Sequence, residues 1–203
     1  SRDEYLAAWE DYQGGDGDIY YQIVGSDGSL GAAGSLAIAN DQGNPHLAYN
    51  PSTDQYLVVF HDERPGTSSV DVYGQFVNGD GSLSGSSFAL SSASGNQYYL
   101  DVAYAANTFL VVWEDPRYGY NDYDIYGQRV SGSGPSLVGG EIAISSDSTN
   151  QRYPAVAASA SEFVVVWRDR RNDYDRDIYL QRLDSSGNLI VVGSAESNAF
   201  PVT

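Results

Sequence analysis

Short apolar runs recur along the whole chain. Four of them end in an aromatic residue with an Asp two positions later, at Tyr5–Asp11, Tyr56–Asp62, Phe109–Asp115 and Phe163–Asp169. Strict alternation of apolar and polar residues is absent from these runs, since residues 57–60 are all apolar. A short, continuous apolar run is typical of a strand that is buried on both faces.

A second type of run follows each of the first. It begins with Asp, then Ile or Val, then Tyr, and its four copies start 53 residues apart, at Asp18, Asp71, Asp124 and Asp177. Along residues 124–130 the side chains alternate between two faces, as expected of a strand nearer the surface. Gly-, Asp- and Ser-rich turns, a short outer strand and an Asn complete each unit, the Asn residues being Asn44, Asn96, Asn150 and Asn198.

Each unit therefore holds about four strands, and a period of this length is typical of propeller blades. The sequence predicts an all-β, four-bladed β-propeller forming a single domain over residues 1–203. The predicted blades cover about 44–95, 96–149, 150–197, and 198–203 joined to 1–43, so that the two termini share one blade. Two alternatives stay open: a two-sheet sandwich, and a terminal strand that completes a neighbouring molecule head-to-tail.

The repeat also identifies residues with a structural role. The aromatic anchors that end the first runs should fill the gaps between blades, and the first Asp of each second run should fix the strand start. The anchors are Trp9, Phe60, Trp113 and Trp167, and the strand-initial acids are Asp18, Asp71, Asp124 and Asp177.

Residues 109–130 combine Trp-x-Asp-x-Arg with Asp-Ile-Tyr-Gly-Gln-Arg. This combination resembles a repeat of secreted and cell-surface proteins of bacteria and archaea that are regarded as β-propellers. The resemblance implies that fold and an extracellular or cell-surface location, but no particular chemistry. This chain departs from the pattern at Phe60, which replaces Trp, and at Gln13, which stands where the other units have Arg.

Charge narrows the range of partners. The chain has 10 basic residues, all Arg, against 27 acidic residues, which gives a formal net charge of -17. Nucleic acid is not expected as a partner, because phosphate binding requires clustered positive charge and this chain has few basic residues. Membrane insertion is not expected either, since no apolar run approaches the roughly twenty residues of a span. The absence of Cys excludes disulfides.

Acidic loops between the two main strands suggest a cation site. Calcium takes six to eight oxygen ligands, which clustered carboxylates can supply. The candidate ligands are Asp16, Asp18, Asp122, Asp124, Asp173 and Asp175. The competing interpretation is structural: the strand-initial Asp pairs with the Arg of the Trp-x-Asp-x-Arg motif and fixes the loop.

Loop aromatics and arginines suggest a surface that binds glycans. Tyrosine rings stack on sugars while guanidinium groups bond their hydroxyls. The candidate ligand-binding residues are Tyr118, Tyr120, Tyr123, Tyr174, Arg117 and Arg171.

Catalysis has little support in the sequence. His46 and His61 occupy different repeat positions, and no catalytic motif with recognisable spacing is present. The acid pairs Glu10-Asp11 and Glu114-Asp115 recur with the repeat, which favours a structural interpretation. No catalytic residue and no enzyme activity are therefore predicted.

The main prediction is a non-catalytic extracellular β-propeller, a structural or adhesive surface module that could be a subunit of an extracellular filament or assembly. Its partners would be further copies, associating head-to-tail, or surface glycans. A glycan-binding lectin is the first alternative and a glycan-active hydrolase the second.

Overall fold

The computed structural model of this chain describes residues 3–12, 15–36, 41–63, 69–119, 122–171, 176–190 and 200–201. The described residues form strands and turns, and among them no helix could cross a membrane. The strands are β1 Glu4–Asp11, β2 Asp18–Gly25, β3 Leu30–Ser35, β4 Gln42–Asn50, β5 Gln55–Asp62, β6 Asp71–Asn78, β7 Leu83–Ser91, β8 Tyr98–Ala105, β9 Thr108–Asp115, β10 Asp124–Ser131, β11 Leu137–Ser145, β12 Gln151–Ala158, β13 Glu162–Asp169, β14 Asp177–Asp184, β15 Leu189–Ile190 and β16 Phe200–Pro201.

These strands form four antiparallel sheets in chain order. Sheet I is β1–β3, sheet II is β4–β7, sheet III is β8–β11, and sheet IV is β12–β15 with β16 paired to β14. The first apolar run of each unit is the strand β1, β5, β9 or β13, and the Asp-Ile-Tyr run is its antiparallel partner. The predicted all-β, four-bladed propeller with about four strands per blade is confirmed.

Three apolar clusters join successive sheets face to face. In β5, Val58 and Phe60 pack toward sheet I, whereas Leu57 and Val59 pack toward sheet III. Alternate residues of one strand thus enter two different cores, and for this reason the first run is apolar without interruption. Leu110 and Val112 of sheet III repeat the arrangement against sheet IV.

The end sheets are covered on one face only. Phe60, Trp113 and Trp167 are 0%, 0% and 1% exposed, whereas Trp9 is 41% exposed although it holds the same strand position. The outward face of sheet I carries Trp9, and no described sheet packs against it. At the other end of the series, Ile178 of sheet IV is exposed in the same way.

The position of the last described residues corrects the predicted shared blade. Phe200 and Pro201 pair with Leu180 and Tyr179 of β14, in sheet IV, rather than with sheet I. Within the described residues, β14 has two short partners in succession: β15 pairs with residues 182 and 183, and β16 pairs with residues 179 and 180, where it satisfies backbone groups of the strand. The other residues of the predicted 198–203 strand lie outside the described part.

The Gln of the second run has a structural function in every sheet. Its side-chain amide donates to the carbonyl of the next residue and to carbonyls of the outer strand, as in the bonds of Gln75 Nε2 to Phe76 O (2.9 Å) and Ser84 O (3.2 Å). The β6–β7 register shifts at this point, which opens carbonyls that the ladder does not use. The equivalent residues are Gln22, Gln128 and Gln181.

A second recurring contact joins neighbouring sheets. Asn96 Oδ1 accepts the backbone N–H of Val70, and Asn150 Oδ1 accepts that of Tyr123, both at 3.1 Å. Between sheets I and II the acceptor is Asp41, which takes the N–H of Gly17 at 2.7 Å. The equivalent of Asn96 is therefore Asp41, so the predicted repeat position at Asn44 was wrong by three residues.

Candidate functional site

The Trp-x-Asp-x-Arg motif forms a closed hydrogen-bond network. Asp115 accepts bonds from Trp113 Nε1 (3.0 Å), from the backbone N–H of Arg117 (2.9 Å) and from its guanidinium (2.6 Å). The guanidinium lies 3.7 Å from the ring centroid of Tyr126 and also pairs with Glu141. Although burial works to lower the pKa of Arg117, bonds to Asp115 and Glu141 outweigh it and raise the pKa.

Sheet IV repeats this network with Trp167, Asp169, Arg171 and Tyr179. The predicted ligand-binding arginines are thus engaged within the protein: Arg117 bonds within sheet III, while Arg171 bonds Asp169 of its own sheet and Ser145 of sheet III. The structural interpretation was right that this Arg fixes the loop. It was wrong about the partner, because the Arg binds the Asp of its own motif and not the strand-initial Asp.

Pairs of acids stand opposite each other at the ends of these strands in all four sheets: Asp11 and Asp18, Asp62 and Asp71, Asp115 and Asp124, Asp169 and Asp177. In sheet III, burial together with the charges of Asp122 and Asp115 raises the pKa of Asp124 to about 7. Burial also raises the pKa of Asp71. Burial and neighbouring negative charges therefore keep the Asp124 carboxyl protonated at mildly acidic pH.

This proton predicts a dependence of stability on pH. Between about pH 4 and 7 the folded state keeps the Asp124 proton while the unfolded state releases it, so the contribution of Asp124 to the free energy of unfolding should fall as pH rises through this range. His61 contributes with the opposite sign below about pH 6.5, because burial lowers its pKa and the unfolded state binds a proton that the folded state releases. The free energy of unfolding of Asp124→Asn should therefore fall less, or rise more, with pH than that of the wild type, because Asn resembles the protonated acid. Urea denaturation at pH 4.5 to 8 measures the difference, with Asp16→Asn as the exposed control. A difference between the wild type and Asp124→Asn that does not change with pH would contradict the assignment.

The calcium prediction concerns partly the same acids. Within the described ranges no three acidic or histidine side chains are grouped so as to hold a metal ion. Asp16, Asp18, Asp122 and Asp124 belong to those ranges, whereas Asp173 and Asp175 lie outside them. The calcium site stays a prediction.

The predicted ligand-binding tyrosines fall in different places. Tyr118 is 71% exposed in the loop after β9. Tyr123 lies just before β10 and lines a cavity. Tyr120 and Tyr174 lie outside the described residues. Of the described tyrosines of this set, Tyr123 lines a cavity together with Arg152.

The first strands of sheets II, III and IV each contain a bulge. The β4–β5, β8–β9 and β12–β13 registers shift there, and the bulged residues Asn44, Tyr99 and Tyr153 have φ values of 53°, 49° and 56°. Left-handed backbone costs a non-glycine residue on the order of 1 kcal/mol, and such strain concentrates at functional sites. Tyr99 and Tyr153 are 43% and 41% exposed, and their rings meet edge to face at 4.4 Å.

Carboxylates of the preceding sheet hold two of these bulges. Glu10 Oε2 accepts the N–H of Asn44 at 2.9 Å, and Glu114 Oε2 accepts that of Tyr153 at 3.1 Å. The approach of Glu10 is so close that a Cβ on Gly43 would lie 2.7 Å from its carboxylate, so a larger residue there would displace that carboxylate.

The position of these carboxylates is occupied by different residue types in different units. Directly after the aromatic anchor stand Glu10, His61, Glu114 and Arg168. The sheets are alike, but the charge at this position differs from one to the next. The surface that these side chains share is therefore asymmetric.

Two adjoining cavities open at this surface. One, of about 200 Å³, is lined by acids and rings that include Glu10, Asp41, His61, Glu63 and Tyr98. The other, of about 390 Å³, is lined by Asn44, His61, Tyr98, Tyr99, Tyr123 and Arg152. Because Asn44, His61 and Tyr98 line both cavities, we describe them together as the central cleft. It draws residues from all four sheets.

Three carboxylates stand at the acidic end of the central cleft. Glu10 accepts the Tyr12 hydroxyl as well as the Asn44 N–H, and the bond to Glu10 raises the pKa of Tyr12. Asp41 is held in the contact between sheets I and II, while Glu63 is exposed.

His61 lies between the two parts of the central cleft. Burial lowers its pKa to about 4, so its ring is neutral at neutral pH. It packs edge to face against Tyr98 at 5.4 Å, and its buried Nε2 has no hydrogen-bond partner among the described residues. A neutral imidazole can donate to or accept from a ligand hydroxyl.

No family model matches the chain, and no curated protein is similar to it in sequence. Solved structures do share its fold. An endo-arabinase from Bacteroides thetaiotaomicron is 13% identical, with a TM-score of 0.56 over 93% of this chain and 78% of its own. A thermostable family-43 glycoside hydrolase is 17% identical, with a TM-score of 0.55 over 94% and 75%. The catalytic domain of a Coprinopsis cinerea GH62 α-L-arabinofuranosidase is 14% identical, with a TM-score of 0.53 over 98% and 66%.

These likenesses correct the functional prediction. The prediction of a non-catalytic structural or adhesive module without enzyme activity is contradicted, because solved structures that share the fold include glycan-cleaving enzymes.

Most residues of the central cleft were missed from the sequence. Glu10 was set aside because acid pairs recur, and His61 because it falls at a different repeat position from His46. The signal that could have found them is the change of residue type directly after each anchor.

Proposed function

We propose that this protein is a glycan-active hydrolase whose active site is the acidic end of the central cleft. The observation that carries the proposal is the convergence of Glu10, Asp41 and Glu63 with aromatic side chains, at the surface where the otherwise regular repeat changes from unit to unit. The glycan-cleaving neighbours support it. Fold alone does not fix function, so the residues of the cleft carry the argument.

Cleavage of a glycosidic bond needs two carboxyl groups, one to protonate the leaving oxygen and one to act as base or nucleophile. We assign the second role to Glu10, whose carboxylate is oriented by the Asn44 N–H and the Tyr12 hydroxyl. Because Asp41 is engaged between the sheets, we assign the acid role to Glu63.

The remaining cleft residues suit sugar binding. Tyr98 and Tyr99 offer ring faces that stack on a pyranose or furanose, and neutral His61 can bond a hydroxyl. The larger cavity falls within the range of small-ligand sites. Since the neighbours include an arabinase and arabinofuranosidases, we propose pentose-containing glycans as the substrate class. We also propose an extracellular or cell-surface location, on the resemblance of the repeat.

The proposal predicts release of reducing sugar when purified protein is incubated with arabino- and xylo-oligosaccharides. Product chromatography at pH 5 to 7 measures it, with heat-inactivated protein as the control. Binding of these sugars without any cleavage would favour the glycan-binding alternative and reject the hydrolase. Neither binding nor cleavage across the panel would contradict both.

A further inference from the structure

The basic end of the central cleft contains an unusual pair of arginines. Arg152 of β12 and Arg168 of β13 stand directly opposite each other in the strand register. Like charges in this position repel and destabilise a sheet unless an anion lies between or beside them. The ring of Tyr153 lies near both, its centroid 5.3 Å from Arg152 Cζ and 4.4 Å from Arg168 Cζ.

Within the part of the chain that the structure describes, a carboxylate pairs with only one of the two guanidiniums. Arg152 binds the buried Glu114 through Nε and Nη2, the shortest bond being 2.6 Å, and this bond raises the pKa of Arg152. The guanidinium of Arg168 makes no ion pair or hydrogen bond with any described residue. This is unexpected in a chain where acids outnumber basic residues 27 to 10.

Arg168 also differs in charge from the residues at the equivalent positions of sheets I and III. At the positions equivalent to Arg168, sheets I and III carry Glu10 and Glu114, which accept a backbone N–H of the next sheet. A guanidinium has only donors and cannot make that bond. Arg168 therefore cannot hold a bulge of a neighbouring sheet as Glu10 and Glu114 do.

The unmatched charge adjoins exposed aromatic surface that leads into the central cleft. Arg168 lies over Tyr153, Tyr153 meets Tyr99 at 4.4 Å, and Tyr99 lines the larger cavity with Arg152 and Tyr123. Tyr99 and Tyr153 both hold left-handed backbone, which presents them here at an energetic cost.

From this arrangement we infer that Arg168, Tyr153 and Tyr99 form a subsite for an acidic sugar, in which the sugar carboxylate meets Arg168 and the sugar ring lies against the tyrosines. Guanidinium and carboxylate form paired, charge-assisted hydrogen bonds, and aromatic faces accept the apolar face of a sugar. The inference rests on the proposed function, and it narrows the substrate to pentose glycans that carry uronic acid. The net negative charge of the chain does not prevent a carboxylate from binding to Arg168, because salt screens the charges that lie more than about 8 Å away.

Isothermal titration calorimetry with two matched ligands tests the subsite. The ligands are a xylotriose that carries one glucuronic acid branch and the unbranched xylotriose, titrated at low temperature to limit cleavage. The branched ligand should bind about tenfold more tightly in 50 mM salt, with a smaller difference in 500 mM salt, as expected for one charge-assisted contact. Arg168→Gln should abolish the difference. Arg182→Gln, which removes an arginine of the same sheet that pairs with Glu162, should preserve it.

Equal affinity for the two ligands, or a preference that survives Arg168→Gln, would overturn the inference. So would free acetate that competes as well as the branched ligand, since the site would then recognise a carboxylate without its sugar. The proposed function fails independently. Cleavage of unbranched oligosaccharide without an acidic preference rejects only the subsite, whereas an acidic preference without any cleavage rejects only the hydrolase.

Discussion

Substitution of Glu10 by Gln should lower the rate of glycan cleavage on the order of 10³-fold, the typical contribution of a positioned acid or base. The amide keeps an oxygen that can accept the Asn44 N–H, so the bulge in β4 and the shape of the central cleft should persist. It removes the negative charge that a base or nucleophile requires. Initial rates on the best oligosaccharide found for the wild type measure the effect.

Two controls separate catalysis from folding. Glu162→Gln removes a carboxylate that pairs with Arg182 on sheet IV, outside the central cleft, and should leave the rate unchanged. The melting temperature of Glu10→Gln should stay close to that of the wild type. If the folded Glu10→Gln variant cleaves at the wild-type rate, Glu10 has no catalytic role and the assignment of the acidic end is wrong.

Substitution of Trp113 by Ala should lower the free energy of unfolding by about 3 to 5 kcal/mol, the usual cost of a large core truncation. Trp113 is fully buried between sheets II and III, and its indole N–H donates to the buried Asp115. The variant loses apolar packing and one of the bonds that hold Asp115 in place. Urea denaturation measures the loss.

The matched variant is Trp9→Ala, at the same position of the repeat. Its side chain is 41% exposed on the uncovered face of sheet I, so the loss should be below about 1.5 kcal/mol. Equal losses at the two positions would show that another surface covers Trp9 in solution, which contradicts one-sided packing of the end sheets.

The sequence was sufficient for the four-sheet fold because each unit repeats the same succession of strands, with the Asp-Ile-Tyr run recurring every 53 residues. The uninterrupted run Leu57–Phe60 predicted burial on both faces, and the structure places neighbouring sheets on both sides. Asp41 was not recognised as the counterpart of Asn96 because the residue type differs. The contact is nevertheless the same, since the side-chain oxygens of Asp and Asn both accept a backbone N–H. The pairing of Phe200–Pro201 with β14 rather than with sheet I is a contact between distant segments, which no local pattern records.

The central cleft was much harder to predict. Its residues are distant in sequence. It also depends on bulges whose left-handed residues, such as Tyr99, are not glycines, so the sequence does not indicate the bulges. Reasoning from the repeat correctly gave a structural role to the Arg of the motif. The same reasoning gave Glu10 a structural role, because Glu114 stands at the equivalent position. The surroundings of Glu10 nevertheless differ, since it lines a cavity with Asp41 and Glu63. Tyr123, predicted to bind a ligand because it is a loop aromatic, lines the larger cavity, and its role in binding stays a prediction.

A crystal structure of the Glu10→Gln variant with bound arabino- or xylo-oligosaccharide tests the central claim most directly. We predict a sugar at the acidic end of the central cleft, with its glycosidic oxygen within hydrogen-bond distance of Glu63 and a ring against Tyr98. An oligosaccharide bound on another face of the propeller, with none in the cleft, would contradict the account.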